Sequence, residues 1–290
     1  MNPRRAELLS YALAVLIPTT SIAACLSLFH VSDNWAANAL MFIPGSMAAL
    51  FLLWHREGFK TVGWGVGQPI YWLWAVLLPV VMLAVSLSIS MWLGYVRTAP
   101  ASTATGIAAL STTRLLMSAG LYILISIPFA FGEEFGWRGY AQGKLVHEFG
   151  LLPGLLLLGI IWGLWHTPIF YFTGAFPEHP ILGPFVLTPI DNILVVVPMG
   201  WLYVRSKTIW VPTLTHAFGD VLWGFAGLLF PPNGEIHSWA VLQAVQMTIS
   251  IVLLLHWRAR PVESLKSRYP QSCGTTLDAG CQVDPEHVRG

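Results

Sequence analysis

Long apolar stretches dominate this sequence and constrain its fold more than any other feature. Eight of them approach or exceed the roughly 20 residues that a helix needs to cross the hydrocarbon core of a bilayer. They lie at about 8–29, 35–54, 70–95, 115–147, 152–172, 184–204, 209–230 and 239–257. The stretches are continuously apolar rather than alternating, which predicts helices and not barrel strands. We therefore predict an all-α polytopic membrane protein with about eight transmembrane helices.

The composition favours the same class of protein. Hydrophobic residues make up 55% of the 290 residues and charged residues 10%, against roughly 25% charged residues in an ordinary soluble domain. So few charged side chains cannot cover the surface of a soluble globule of this size. The net charge of +1 indicates no nucleic-acid partner. The three scattered cysteines indicate neither a disulfide framework nor a Cys-based zinc module.

The distribution of Lys and Arg predicts the orientation of the helices, because cytoplasmic loops carry an excess of both residues. With the N-terminus inside, the outer segments hold only Arg97 and Arg114 of the 15 Lys and Arg residues. Arg138 lies within the fourth stretch, and all the others fall on the inner side. This asymmetry predicts an even number of crossings with both termini cytoplasmic. If the host is bacterial, it predicts a multi-pass protein of the plasma membrane.

Residues 1–260 are predicted to form one transmembrane domain. Residues 261–290 are polar and contain three Pro residues, so we predict a disordered C-terminal tail. The loop at 96–113 is rich in Ser, Thr and Ala, and a short interfacial helix is one possibility there. An alternative for the first stretch is a lipoprotein signal cleaved before Cys25. The apolar run continues past this residue, which favours a membrane-spanning helix instead.

Seven ionisable residues lie well inside the predicted spans, where such groups are costly and are candidates for function. A purely structural role is an alternative for each, because an intramembrane His can simply bond a neighbouring helix and an acid–Arg pair can simply allow burial. Asp191 belongs to none of the motifs described below, and we expect it to support helix packing or the site's surroundings. The seven residues are Glu133, Glu134, Arg138, His166, Asp191, His216 and Asp220.

The spacing of these residues places several of them on common helix faces. Glu134 and Arg138 are four residues apart, as are His216 and Asp220, and residues four apart are neighbours on a helix surface. Each pair is therefore predicted to share one face of its helix.

Depth along the helices gives a second constraint. At about 1.5 Å per residue, Glu133 and His166 both lie about 20 Å from the inner edge of their spans, and His216 lies about 14 Å from its own. Three helices can therefore bring two carboxylates and two imidazoles to one intramembrane cavity. We expect this cavity to be open toward the cytoplasm.

Three short motifs carry these residues in a fixed order. Residues 133–138 read EExxxR, residues 162–166 are similar to an FxxxH motif with Trp in place of Phe, and residues 216–220 are similar to Hxxx followed by Asn or Asp. In this order, and within apolar spans, the motifs resemble those of the CPBP intramembrane proteases. That family includes the CAAX prenyl endopeptidases and the bacterial Abi proteins. The motifs cover about residues 115–230.

The resemblance implies an intramembrane endopeptidase that hydrolyses a peptide bond of a membrane-associated peptide or protein. Peptide hydrolysis needs an activated water and a stabilised oxyanion. A Glu in a dry cavity can exchange protons near neutral pH, and the resemblance implies that Glu133 is this general base. Glu134 is expected to pair with Arg138, and His166 to position or polarise the water. Trp162 is expected to keep the cavity wall aromatic and to change little.

His216 and Asp220 occupy the place where the family is thought to bind the oxyanion, and here the sequence departs from the usual pattern. An Asn donates a hydrogen bond to an oxyanion, whereas an ionised Asp cannot. Three roles are open for Asp220: a protonated donor, a group that orients His216, or a metal ligand.

Zinc is an alternative to metal-free chemistry. Glu133, His166 and His216 are a plausible catalytic zinc set with an open position for water. The HExxH pattern, a common helix-borne zinc motif, is absent from the sequence. We therefore favour a site without a cofactor.

Two other functions are considered. One is a non-catalytic membrane immunity or scaffold protein of the same fold that binds a peptide or partner. The other is a small transporter with a proton relay, which the absence of paired internal repeats in the sequence disfavours. In every case the lipid bilayer is a partner.

Overall fold

The computed structural model describes residues 2–30, 38–97, 111–230 and 235–259. These residues contain no β-strand, and the chain is an all-α polytopic membrane protein. Most of the predicted loop at 96–113 lies outside the described residues, as does the predicted tail at 261–290.

Eight α-helical segments in the described part of the chain correspond to the eight predicted spans. They are α1 (Pro3–Leu28), α2 (Phe42–Trp54), α3 (Pro69–Trp92), α4 (Thr112–Phe149), α5 (Leu151–Thr173), α6 (Gly183–Ser206), α7 (Trp210–Leu229) and α8 (Glu235–Ala259). One 3₁₀ turn, Lys60–Val62, lies between α2 and α3.

Six of the eight helices, all except α2 and α7, are long and apolar enough to cross a membrane by length and composition. Helix α2 is apolar but has only 13 residues. Helix α7 has 20 residues, and His216 and Asp220 lower its hydropathy. Helices α2 and α7, which are too short or too polar to be counted as spans, both contact α4. Helix α4 carries the first motif.

Helix α4 is one continuous helix of 38 residues, as the sequence predicted. It begins after Ser111, whose side chain accepts a hydrogen bond from the backbone N–H of Arg114. It ends before Gly150, whose φ of +87° is readily adopted only by glycine. The segment Phe135–Gln142 is π-helical, and all eight of its residues are buried. π-Helical turns occur frequently at functional sites, and this one directly follows the two glutamates.

The helices pack so that the motif-bearing segments are central. Helix α5 packs mainly against α6, α4 and α1, and α4 packs also against α2 and α7. Helix α3 closes the bundle against α7 and α8. The largest fully buried side chains include Trp137 of α4 and Trp165 of α5. In contrast, the first half of α4 exposes Leu116, Met117 and Leu124, as expected of a surface that contacts lipid.

Partly exposed ion pairs link the C-terminal end of α4 to other elements. The Lys144 Nζ lies 2.7 Å from the Glu7 carboxylate of α1 and 2.6 Å from that of Glu57, which follows α2. The Arg5 Nε lies 2.7 Å from the Glu148 carboxylate. These three contacts join α1, the α2–α3 loop and the end of α4 at one edge of the bundle.

Glycines allow α2 and α4 to approach closely. A Cβ atom at Gly45 would collide with the backbone oxygen of Gly132, and one at Gly136 would lie 2.5 Å from the backbone carbonyl carbon of Pro44. Backbone atoms cannot move aside as a flexible side chain can, so the close contact requires glycine at these positions.

The Gly136→Ala variant is therefore expected to lose about 1–3 kcal/mol of stability, the usual cost of overpacking a core. A matched control is Gly120→Ala on the same helix, where an added Cβ meets no atom within 4 Å and Ala has the better helix propensity. Thermal unfolding of the purified protein in detergent measures both. Equal unfolding temperatures for the two variants would contradict the close contact.

Candidate active site

The carboxylate of Glu134 joins the first and third motifs. Its Oε1 accepts a hydrogen bond from Arg138 Nη1 at 2.9 Å and lies 2.8 Å from His216 Nδ1. The side chains of Glu134 and Arg138 are fully buried, and that of His216 is nearly so. Since an ionised carboxylate only accepts hydrogen bonds, Nδ1 of His216 carries the hydrogen when Glu134 is charged. This oxygen therefore holds α4 and α7 together.

The guanidinium group of Arg138 is enclosed between a carboxylate and an aromatic ring. Its Cζ lies 4.2 Å from the ring centroid of Trp162 on α5, a cation–π distance. The Nε and Nη2 of Arg138 and the Oε2 of Glu134 have no hydrogen-bond partner among the described residues. The pair therefore keeps unused donors and an unused acceptor at the centre of the bundle.

Two indole groups hold the carboxylate of Glu133. Its Oε2 accepts hydrogen bonds from Trp162 Nε1 at 2.8 Å and from Trp137 Nε1 at 3.2 Å, and Glu133 is 1% exposed. The expectation that Trp in place of Phe at position 162 changes little is wrong, because a Phe ring has no N–H to donate. Trp162 thus links the second motif to the first by a direct hydrogen bond.

The Trp162→Phe variant is expected to lose about 1.5–3 kcal/mol of stability, since a hydrogen bond to a charged group contributes that much. The matched control is Trp165→Phe on the same helix, where the indole donates at 2.8 Å to the neutral hydroxyl of Thr19. The control should lose only about 1 kcal/mol. Thermal unfolding in detergent compares them, and an equal loss in both variants would contradict a charged Glu133 acceptor.

A cavity of about 190 Å³ lies beside these groups. His166, His216 and Asp220 line it, together with the ring of Trp162. The two imidazoles therefore meet at one cavity, as depth along the helices predicted. The glutamates do not line it, which corrects the prediction that carboxylates and imidazoles share its surface. Glu133 and Glu134 instead contact two of its wall residues, Trp162 and His216.

Each imidazole also contacts neighbours on its own helix. His166 Nδ1 lies 3.2 Å from the backbone oxygen of Trp162, and its ring stacks on Phe170. His216 Nε2 lies 3.5 Å from Asp220 Oδ2, and the Asp220 side chain is half-exposed. Of the three roles left open for Asp220, this contact fits the one in which it orients His216.

The donor set suggested for zinc does not assemble. Within the described ranges, no group of three or more His, Cys, Asp or Glu side chains is arranged to hold a metal ion. Glu133 Oε2 accepts two indole hydrogen bonds, and the carboxylate that contacts His216 belongs to Glu134. Glu133, His166 and His216 therefore do not fit a zinc ion in this arrangement.

The fold and the site together define a polytopic membrane protein with a buried cluster of acids, an arginine and histidines beside a cavity. Residues 118–222, which run from α4 to α7 and contain all three motifs, match the family described as type II CAAX prenyl endopeptidase Rce1-like.

A curated relative points the same way. The CAAX prenyl protease 2 of Methanococcus maripaludis is 30% identical to this chain over 79 residues, which are 26% of this chain and 29% of that protein. The chain thus matches less than a third of the length of this relative. The two findings support the resemblance to the CPBP and CAAX endopeptidase family that the motifs predicted.

Proposed function

We propose that this protein is an intramembrane endopeptidase that hydrolyses a peptide bond of a membrane-associated peptide or protein. The observation that carries the proposal is the convergence of three motifs from α4, α5 and α7 on two adjacent buried glutamates beside one cavity. The similarity to CAAX prenyl endopeptidases supports the reaction class. It also makes peptides with a C-terminal CAAX sequence the first substrates to test.

In the proposed mechanism Glu133 is the general base. The two indole hydrogen bonds end on Oε2, which leaves Oε1 to take a proton from water. The water oxygen attacks the scissile carbonyl carbon, and its proton moves to Glu133. When the C–N bond of the tetrahedral intermediate breaks, Glu133 returns that proton to the leaving amine nitrogen. Catalytic hydrogen bonds often tighten only when substrate binds, so Trp162 is expected to shift as water enters from the cavity.

The remaining motif residues hold charge and orientation in this mechanism. Glu134 keeps His216 and Arg138 in place through its Oε1, and His166 positions the water. His216 Nε2 faces Asp220 and the cavity, from which it donates to the developing oxyanion. Preorganised donors of this kind usually supply a large part of the rate enhancement of acyl transfer.

We further propose that the cavity is open to the cytoplasmic side of the membrane. The support is the excess of Lys and Arg in the segments predicted to be cytoplasmic. A substrate held at the membrane surface or anchored in the bilayer would reach the site from that side.

The experiment that tests the function is cleavage of quenched fluorescent peptides by the purified protein in detergent. The peptide pool includes CAAX sequences with and without a lipidated Cys, and products are identified by mass spectrometry. A mock purification from cells with an empty vector controls for contaminating proteases. Cleavage that persists with a zinc chelator supports the metal-free mechanism. If peptides bind but none is cleaved, the proposed endopeptidase function is overturned in favour of a binding protein of the same fold.

A further inference from the structure

A second polar cluster lines the same cavity but belongs to none of the three motifs. It consists of Asp191 and Asn192 of α6 and of Gln246 of α8, with Gln243 of α8 bonded to the acid. We call these four residues the α6–α8 cluster. Polar residues at membrane depth are costly, so their position on a cavity wall needs a physical reason.

The carboxylate of Asp191 has amide partners. Its Oδ1 accepts a hydrogen bond from Gln243 Nε2 at 2.7 Å, and the side chain of Gln246 also stands beside it. In the part of the chain that the structure describes, the ion pairs include no Lys or Arg paired with this carboxylate. The acid thus lies in the bundle without a cation to balance its charge.

The side-chain oxygen of Gln246 is a hydrogen-bond acceptor that has no donor among the described residues. The residue is 2% exposed and lines the cavity. The side chain of Gln246, like that of Gln243, hydrogen-bonds Asp191, and the Oε1 of each amide is left without a donor among the described residues. Of the two glutamines, only Gln246 lines the cavity. A buried acceptor left unpaired costs about 1–3 kcal/mol, and a ligand that donates to it removes that cost.

The charge of the cavity wall restricts the donor. Its ionisable residues are Asp191, Asp220 and two histidines, and neither Lys nor Arg is among its lining residues. One histidine, His216, is already engaged with Glu134 and Asp220. Beside Asp191, a positively charged ligand group therefore finds an attractive site, whereas a carboxylate does not.

We propose that Asp191 and Gln246 form a subsite that binds an alkylammonium group of the substrate near the scissile bond. An ammonium group has three donors and no acceptor, which suits a carboxylate oxygen beside an unpaired amide oxygen. The group is either a Lys side chain or a free α-amino group. This inference rests on the proposed endopeptidase function, because it names the chemistry of that enzyme's substrate.

The test compares matched peptides that differ in one group. Each cleaved sequence is made with Lys, norleucine or Glu at the positions flanking the scissile bond, all with an acetylated N-terminus. A norleucine peptide with a free N-terminus separates the two ammonium sources. For the wild-type protein we expect KM to be about tenfold lower with an ammonium group than with norleucine, a ratio that corresponds to about 1.4 kcal/mol. With Glu we expect KM to be higher still.

The Asp191→Asn variant should remove the preference for the ammonium group, so that its KM values for the Lys and norleucine peptides agree within about twofold. A Gln246→Met variant should reduce the preference to a smaller extent and serves if Asp191→Asn fails to fold. Equal KM values for Lys and norleucine in the wild type would overturn the subsite. So would a preference that survives in Asp191→Asn.

Binding measurements separate failure of the subsite from failure of the proposed function. The Kd of each peptide is measured with the Glu133→Gln protein, which does not require turnover. If no peptide is cleaved but the ammonium peptides bind about tenfold more tightly, a ratio that again corresponds to about 1.4 kcal/mol, the subsite stands and the enzyme function fails. Equal binding of all the peptides rejects the subsite whether or not cleavage occurs.

Discussion

Replacing Glu133 with Gln is expected to lower the rate of peptide cleavage by about 10²–10⁴-fold, the range that a general base contributes. The amide is nearly isosteric with the carboxylate, and its oxygen can still accept the hydrogen bonds from Trp137 and Trp162. It cannot take a proton from water, so only the proposed chemical step is removed. The measurement is kcat on the best cleaved peptide, with the fold checked by thermal unfolding in detergent.

The control for this variant is Glu57→Gln, which also neutralises an acid but at an exposed ion pair with Lys144. Its kcat should stay within about twofold of the wild type, because exposed pairs contribute little. A Glu133→Gln protein that keeps more than about a tenth of the wild-type rate would reject the assignment, since a lost general base costs far more. The neighbouring Glu134 would then be the next candidate, since its Oε2 lacks a partner among the described residues.

Replacing Arg138 with Met is expected to reduce the free energy of unfolding by about 3–5 kcal/mol, the cost of removing one partner of a buried ion pair. The guanidinium and the Glu134 carboxylate are fully buried and lie 2.9 Å apart. Without Arg138, Glu134 keeps the hydrogen bond to His216 but loses the guanidinium charge. Thermal and denaturant unfolding in detergent measure the loss.

Two further variants test whether the loss of stability comes from the buried ion pair. The double variant Glu134→Gln with Arg138→Met should recover part of the lost stability, because it leaves no unpaired buried charge. The Arg5→Met variant breaks an ion pair in which Arg5 is 53% exposed, and it should cost less than about 1 kcal/mol. If Arg138→Met unfolds like the wild type, the buried pair does not stabilise the fold.

Much of the fold could be predicted from the sequence, because apolar run length is a strong signal in a membrane protein. Each predicted span has a helix, and the long fourth span is continuous from Thr112 to Phe149. The π-helical segment Phe135–Gln142 could not be predicted, because it depends on tertiary packing rather than on residue type. The close approach of α2 to Gly136 could not be predicted either, because it depends on which helix packs against this residue.

The candidate site was predictable where its contacts are local. The spacing of four residues predicted that Glu134 and Arg138 share a face, and the structure contains their ion pair. Trp137 stands at the same offset from Glu133, so spacing alone could have identified this hydrogen-bond donor. The hydrogen bond from Trp162 to Glu133 joins residues 29 positions apart on different helices, so helical periodicity could not predict it. Likewise, nothing in the sequence around Gln246 indicates that it faces the cavity of the three motifs.

Helix α4 has a buried ion pair at Glu134 and partly exposed ion pairs at its C-terminal end. The two sets differ in how strongly dissolved salt screens them. Charges in water are screened beyond a Debye length of about 8 Å at physiological ionic strength, whereas buried pairs are screened much less. The contacts of Lys144 and Arg5 at the end of α4 are partly exposed, and added salt weakens them. The pair at Glu134 is fully buried, so added salt weakens it much less. We therefore expect the ionic strength of the surrounding solution to affect the ion pairs at the edge of this bundle far more than the buried pair at its centre.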